Sequence, residues 1–223
     1  MNCEEFILQP IEISLSLVKE CMRCLVHTIL FGRSIGGGSG GSMFVTETSE
    51  IMGIEYCRIQ ESSSTDFAGI IDYKIQEFSR KLENSRSLEF VMSFYVPKRP
   101  TGTTSSFWDL LSRPFDDRAV FEKWRIPVKL LSSASAVSPI SRLEQQEDWE
   151  IESAKSQIFD RMYNIIRKLT DRLDHLPPPP TDQIPYHFDI TVSAAMPVGS
   201  APGSPQWSPR SIAQSIRSIP FIT

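Results

Sequence analysis

The sequence predicts an α+β fold, with a mainly antiparallel sheet and helices packed on one face. Two observations favour this fold. Strand and helix patterns are mixed along the chain, in the order strand, helix, strand, helix, strand, strand, long helix, strand. The long helical pattern, at about 148–176, would exceed roughly 40 Å at about 1.5 Å per residue, enough for a central helix to span a small domain. We therefore expect three helices, one of them central.

The chain begins with a strand pattern at residues 6–13. Pro10 interrupts it, so we expect a strand at an edge of the sheet. Ser14 or Ser16 is placed to cap the helix that follows, which runs to about residue 31. The core-facing stripe of this helix is predicted to contain Leu17, Cys21, Leu25 and Thr28.

Four further strands and a second helix follow. The strand patterns occupy residues 54–59, 88–95, 124–130 and 186–192. The second helix, at 67–84, begins after a serine-rich segment that supplies capping residues. Its apolar residues recur at helical spacing and are Phe67, Ile70, Ile71, Ile75, Phe78 and Leu82.

The long helix carries the clearest apolar pattern in the chain. We expect its core-facing residues to be Trp149, Ile151, Ala154, Ile158, Met162, Ile165, Ile166, Leu169, Leu173 and Leu176. Residues 132–139 precede it as a low-complexity linker. The four prolines at 177–180 end the helix and form a stiff spacer, although such a run is also typical of a ligand for a proline-recognising module.

Two segments stand apart in composition. Residues 36–42, Gly-Gly-Gly-Ser-Gly-Gly-Ser, are typical of an engineered flexible linker. We interpret them as the replacement of a natural loop whose ends lie close together, and exclude them from fold reasoning. Residues 197–223 are rich in Pro, Ser and Gly and cannot build much core. We therefore expect one domain at 1–196 and a C-terminal tail at 197–223.

The composition argues against several classes of function. A net charge of −4 and a pI near 5.5 are unlike those of a general nucleic-acid binder. No apolar run approaches the length of a transmembrane helix. The N-terminus is acidic where a secretory signal needs basic residues, so we expect a cytoplasmic protein. Cys21 and Cys24 form a C-x-x-C, but no second ligand pair follows that would complete a zinc site.

The sequence contains no recognisable catalytic motif. A phosphate loop, a dinucleotide fingerprint and a nucleophile elbow are all missing. The three histidines, His27, His175 and His187, fall in three separate elements, and we expect His27 to be half buried on the first helix. A polar turn explains the adjacent Asp116 and Asp117. We therefore expect no catalytic, cofactor-binding or metal-ligating residues.

Two adjacent large aromatics, Phe107 and Trp108, stand in a segment whose composition favours a loop. Residues 97–106 before them are rich in Pro, Gly, Ser and Thr. Aromatic anchors dominate many partner interfaces, so a displayed Phe–Trp pair favours a recruitment loop. The other interpretation is that the segment folds back and buries both rings in the core.

Six short blocks lie in order over residues 1–192: Met-Asn-Cys at 1–3, Leu-Val-His-Thr-Ile-Leu at 25–30 with an arginine at 33, Ser-Phe-Tyr at 93–95, Phe-Glu-Lys-Trp at 121–124, Leu-Pro-Pro at 176–178 and Tyr-His-Phe-Asp-Ile at 186–190. Each resembles a block of the autophagy-related protein 101 family, HORMA-domain subunits of the autophagy-initiation kinase complex. Phe121 replaces the first Trp of that family's Trp-Glu-x-Trp block. On this resemblance we also expect a fungal origin.

The resemblance implies a HORMA-like domain in the open form, with no C-terminal belt closed around a peptide. It further implies a non-catalytic adaptor that pairs with and stabilises the HORMA domain of autophagy-related protein 13. In that family an exposed Trp-Phe finger recruits downstream autophagy factors, and we expect this protein itself to be recruited from the cytoplasm to the preautophagosomal structure. Phe107 and Trp108 match that finger in reversed order, and Pro114 and Phe115 resemble a Pro-Phe pair of animal members. These four are the candidate partner-recruiting residues.

Two other classes of function stay open. An enzyme could assemble its site from His27, His187 and Asp189, provided that one pocket holds all three. A membrane-surface module could use Phe107 and Trp108 as a wedge, because such aromatics suit the lipid interface. The acidic composition weighs against the wedge, and any membrane contact of the adaptor would be indirect.

Overall fold

The structure is a computed structural model, and the residues it describes are 3–34, 44–60, 67–97, 118–131, 140–171 and 187–194. The Gly/Ser segment, the proline run at 177–180 and the tail at 197–223 lie outside these ranges. Predictions about those segments therefore stay predictions.

The described residues form three helices and seven strands. In chain order they are β1 (Glu4–Ile7), β2 (Ile11–Ile13), α1 (Val18–Ser34), β3 (Phe44–Thr48), β4 (Glu55–Ile59), α2 (Phe67–Ser85), β5 (Ser87–Pro97), β6 (Arg118–Leu130), α3 (Ile140–Asp171) and β7 (His187–Ala194), and a 3₁₀ turn at Leu15–Leu17 leads into α1. The predicted α+β fold and its three helices are confirmed, and the arrangement is consistent with a HORMA-like domain.

A mixed sheet of five strands forms the centre of the fold. Its order is β1-β6-β5-β7, and β2 continues beside β6 where β1 ends. The long strand β5 runs antiparallel to both β6 and β7, which agrees with a mainly antiparallel sheet. Both β1 and β2 instead run parallel to β6. The interruption at Pro10 and the edge position of the N-terminal strand are confirmed.

Two strand predictions needed correction. β3 was not among the predicted strands, because Phe44–Thr48 closely follows the Gly/Ser segment at 36–42, which the fold prediction excludes. It pairs antiparallel with β4 in a separate two-stranded sheet. β6 begins at Arg118, six residues before its predicted start, because it pairs with β5 as far as Pro97 through an irregularity at Phe94 and Tyr95.

One face of the five-stranded sheet packs against the helices. Strand residues alternate, so the core-facing set of β5 is every second residue. These are Leu88, Phe90, Met92 and Phe94, paired in register with Val128, Ile126, Trp124 and Glu122 of β6. Phe78 of α2 packs edge-on against Phe90, with ring centroids 5.4 Å apart.

The central helix α3 differs from its prediction at the start and in which faces it buries. It begins eight residues earlier than expected, at Ile140, since the polar residues there gave no apolar periodicity. Ala154 and Ile158 are buried as predicted, whereas Trp149 and Ile166 are exposed. None of the helices that the structure describes is both long and apolar enough to cross a membrane.

Candidate functional site

One face of α3 presents large apolar side chains to solvent. The exposed fractions are 62% for Trp149, 50% for Phe159, 67% for Tyr163 and 54% for Ile166. At about 100° per residue, these four positions fall within roughly a third of the helix circumference. We call them the α3 stripe. Phe159, Tyr163 and Ile166 are neighbours at spacings of four and three residues, and grouped exposed apolar side chains mark an interaction site more often than scattered ones do.

The opposite part of α3 is fixed by close packing on α1. Ile158, Ile165 and Leu169 are buried in the core. Gly32 of α1 makes the close approach possible, because a Cβ placed there would lie 2.3 Å from Cδ1 of Leu169. The α3 stripe therefore lies on the side of the helix that points away from this contact.

Beneath this contact, α1 is joined to β6 by a buried ion pair. Arg33 Nε donates to Glu122 Oε1 at 2.8 Å, and a second Arg33 nitrogen donates to the other carboxylate oxygen. Trp124 Nε1 also donates to Glu122. Both charged side chains are almost fully removed from water. In the sequence these three residues occur only within two of the short family-like blocks, and their contact could not be predicted from it.

The four candidate recruiting residues, at 107, 108, 114 and 115, lie outside the described residues. The structure does describe the strands on either side of them. β5 ends at Pro97 and β6 begins at Arg118, and these two residues are partners in the antiparallel register. The segment that carries the aromatics therefore leaves and re-enters the sheet at neighbouring strand ends.

The structure gives His27 a core position and not the half-buried one predicted. Its Nδ1 accepts a hydrogen bond from the backbone N–H of Ile59 at 3.3 Å, and its ring stacks on Tyr56. Burial lowers the pKa of His27 to about 4, so the ring is neutral at cellular pH. Such a histidine contributes packing and one hydrogen bond to the link between α1 and β4.

His187 and Asp189 lie at a different place, on the face of the sheet that points away from the core. The ring of His187 stacks on Tyr95 with centroids 5.6 Å apart. The guanidinium of Arg118 lies over the Tyr95 ring, with Cζ 4.8 Å from the ring centroid, and Arg118 Nη1 is 3.9 Å from Asp189 Oδ2. Burial and the nearby Arg118 charge lower the pKa of His187. The structure thus brings two of the three residues of the enzyme alternative together and gives His27 separate neighbours.

This cluster of Tyr95, Arg118, His187 and Asp189 could hardly be predicted from the sequence. Tyr95 belongs to the Ser-Phe-Tyr block, but Arg118 carries no motif at all. Only the β5–β7 register, which pairs Tyr95 with His187, brings these side chains side by side. His175 lies outside the described residues.

The two cysteines of the C-x-x-C are buried on the core face of α1, as predicted. Burial raises the pKa of Cys24 to about 12 and that of Cys21 further, so both stay protonated. Cys21 Sγ contacts the thioether sulfur of Met52 at 3.7 Å. Within the described ranges, no three His, Cys, Asp or Glu side chains come together in a group that could hold a metal ion.

Comparison with known proteins gives the same family as the resemblance of the short blocks. The family model described as Autophagy-related protein 101 matches residues 10–183. Autophagy-related protein 101 of Arabidopsis thaliana is 24% identical over 211 residues, which cover 87% of this chain and 89% of that protein. Autophagy-related protein 101 of Xenopus laevis is 26% identical over 209 residues, covering 88% and 86%. The chain belongs to the autophagy-related protein 101 family.

Proposed function

We propose that this protein is a non-catalytic adaptor in autophagy initiation. It forms a heterodimer with the HORMA domain of autophagy-related protein 13, and it stabilises that domain by covering part of its apolar surface. In the cell it acts in the cytoplasm and is recruited to the preautophagosomal structure. Other subunits of the initiation complex and downstream factors then join through a second surface, the segment that carries Phe107 and Trp108.

The α3 stripe is the observation that carries the heterodimer proposal. Phe159, Tyr163 and Ile166 follow one another at spacings of four and three residues, so they offer a continuous apolar strip to a partner helix or sheet. Aromatic residues of this size supply most of the binding energy at protein interfaces. Burying apolar area at about 25 cal/mol per Å² offsets the entropy lost when two chains associate.

The placement of the aromatic segment supports the recruitment proposal. β5 and β6, which flank it, are the longest strands of the sheet and pair along almost their whole length. A loop anchored on a rigid pair of strands can display side chains while the scaffold stays unchanged. Phe107 and Trp108, with Pro114 and Phe115 nearby in sequence, are the residues that we assign to recruitment.

The heterodimer is tested by mixing this chain with a purified HORMA domain of autophagy-related protein 13 and measuring mass by light scattering after gel filtration. We expect a one-to-one complex at micromolar concentrations. Two separate monomers, or a homodimer of this chain that excludes the other protein, would contradict the proposal.

A further inference from the structure

A second row of α3 side chains holds the N-terminal strand by its backbone. The amide of Gln157 accepts a hydrogen bond from Glu12 N and donates one to Glu12 O, each at 3.0 Å. Glu12 lies between Ile11 and Ile13 in β2, whose other side pairs with β6. One side chain of the helix thus makes the two bonds that a neighbouring strand would make, and it covers this edge of the sheet.

Arg161 and Lys168 lie one turn and three turns further along α3, on the same side of the helix as Gln157. Arg161 Nε donates to Gln9 O at 3.1 Å and its Nη2 donates to Pro10 O at 3.3 Å. Burial lowers the pKa of the Arg161 guanidinium. Two carbonyl oxygens therefore replace the water that this group has lost. Lys168 Nζ lies 5.4 Å from the centroid of the Phe6 ring.

These three residues form one row along the helix. At about 100° per residue, Gln157, Arg161 and Lys168 fall within roughly 40° of one another. Their contacts run backwards along the chain, from Glu12 through Gln9 and Pro10 to Phe6. We call Gln157, Arg161 and Lys168 the clasp.

The clasp and the α3 stripe point in nearly opposite directions. Arg161 and Lys168 are each about 160–180° around the helix from Phe159 at 100° per residue. The N-terminal strand is therefore bound to one side of the helix, while the stripe is exposed to solvent on the other. A rotation of α3 by one residue position, about 100°, would break both hydrogen bonds between Gln157 and Glu12.

We infer that the clasp residues are positioning residues for partner binding: by fastening α3 to the N-terminal strand they fix the rotation at which the stripe is presented. This rests on the proposed function, because the stripe must be the partner face. Partner binding at the stripe then stabilises the contact between α3 and the N-terminal strand. By thermodynamic linkage, that contact raises the affinity for the partner by the same factor.

The test combines hydrogen exchange with affinity, using the full chain and the HORMA domain of autophagy-related protein 13. In the wild-type complex, we expect the backbone amides of residues 6–13 to exchange several-fold more slowly than in the free chain. In the double variant Gln157→Ala, Arg161→Ala these amides should exchange faster in the free chain, and affinity should fall by about tenfold. The double variant Gln157→Ala, Arg161→Lys, whose ammonium group can still donate to these carbonyls, should recover part of that loss.

Two controls separate positioning from general damage to the fold. Lys81→Ala removes an exposed α2 side chain that lies outside both the clasp and the α3 stripe, and it should leave exchange and affinity unchanged. Tyr163→Asp should abolish binding while leaving the amides of 6–13 protected in the free chain. A double variant that keeps wild-type affinity overturns the inference while the proposed heterodimer stands. Failure of the wild-type chain to form any complex overturns both.

Discussion

Arg33 and Glu122 join the last turn of α1 to the centre of β6 through two hydrogen bonds in a site that water barely reaches. Glu122 stands on the core face of the sheet, at a register position opposite Phe94, where an apolar residue would be expected. Two charges placed there are tolerated because two Arg33 nitrogens donate to the two carboxylate oxygens and Trp124 donates a further hydrogen bond, while Nη1 of Arg33 has no hydrogen-bond partner among the described residues. The pair fixes where the end of α1 lies relative to the sheet.

Removing one partner of this pair should be strongly destabilising. Glu122→Ala leaves Arg33 buried without its counter-charge, and we expect the free energy of unfolding to fall by about 3–5 kcal/mol. Urea denaturation followed by circular dichroism measures it. The double variant Arg33→Met, Glu122→Leu should cost much less than the sum of the single variants. A loss below about 1 kcal/mol in Glu122→Ala would show that the charges are not buried as described.

The contact of Gly32 with Leu169 predicts a paired effect. Gly32→Ala places a Cβ where Leu169 Cδ1 now lies, so α1 and α3 must separate or the leucine must change rotamer. We expect crowding to cost about 1–3 kcal/mol in unfolding free energy, and the better helix propensity of alanine to offset about 1 kcal/mol of that cost. Leu169→Ala alone should cost about 2–5 kcal/mol. In the combined variant the losses should be less than additive, because the shortened side chain makes room for the new methyl group. Simple additivity would refute the close approach.

His27 should make stability depend on pH. Its pKa is about 4 in the folded chain against an ordinary value of 6.5, so the unfolded chain binds the proton more readily. The neutral ring therefore contributes about 3 kcal/mol to the free energy of unfolding above pH 6.5. This contribution is lost progressively as the pH falls from 6.5 towards 4. His27→Gln, which keeps an acceptor for Ile59, should flatten the profile between pH 7.5 and 5. An unchanged slope in this variant would assign the pH dependence to other groups.

Phe107 and Trp108 should matter for recruitment and not for folding. We expect the double variant Phe107→Ala, Trp108→Ala to keep its melting temperature and its binding to the HORMA domain of autophagy-related protein 13. Capture of downstream autophagy factors from the assembled complex should be lost. If both rings are core residues, unfolding free energy should instead drop by about 3–5 kcal/mol per ring, and thermal denaturation distinguishes the two cases.

Segments with a periodic apolar pattern were predicted well, because the residues that define the pattern are neighbours in the sequence. The predicted helix at 67–84 agrees with α2 to within one residue, since its apolar spacing lies inside the segment and the serine-rich sequence just before it marks the start. The parallel pairing of β1 and β2 could not be predicted, because an alternating pattern shows which residues face the core but not which strand lies alongside.

The candidate site was less accessible to sequence reasoning. Ile166 matched the apolar period of α3 as well as Ile165 did, yet only Ile165 is buried. An amphipathic pattern does not distinguish side chains that face the core from side chains kept apolar for a partner. The clasp depends on contacts between residues some 145 positions apart, such as Gln157 with Glu12, and no local signal reports those.

The affinity of two matched charge variants for the HORMA domain of autophagy-related protein 13 tests the central claim most directly. Tyr163→Asp places a carboxylate in the α3 stripe at a tyrosine that is 67% exposed, whereas Tyr73→Asp alters an α2 tyrosine that is 57% exposed and lies outside the stripe. By isothermal titration calorimetry we predict a loss of at least about 100-fold for the first variant and wild-type affinity for the second. Equal affinities for the wild-type chain and both variants would contradict the assignment of α3 as the partner-binding face.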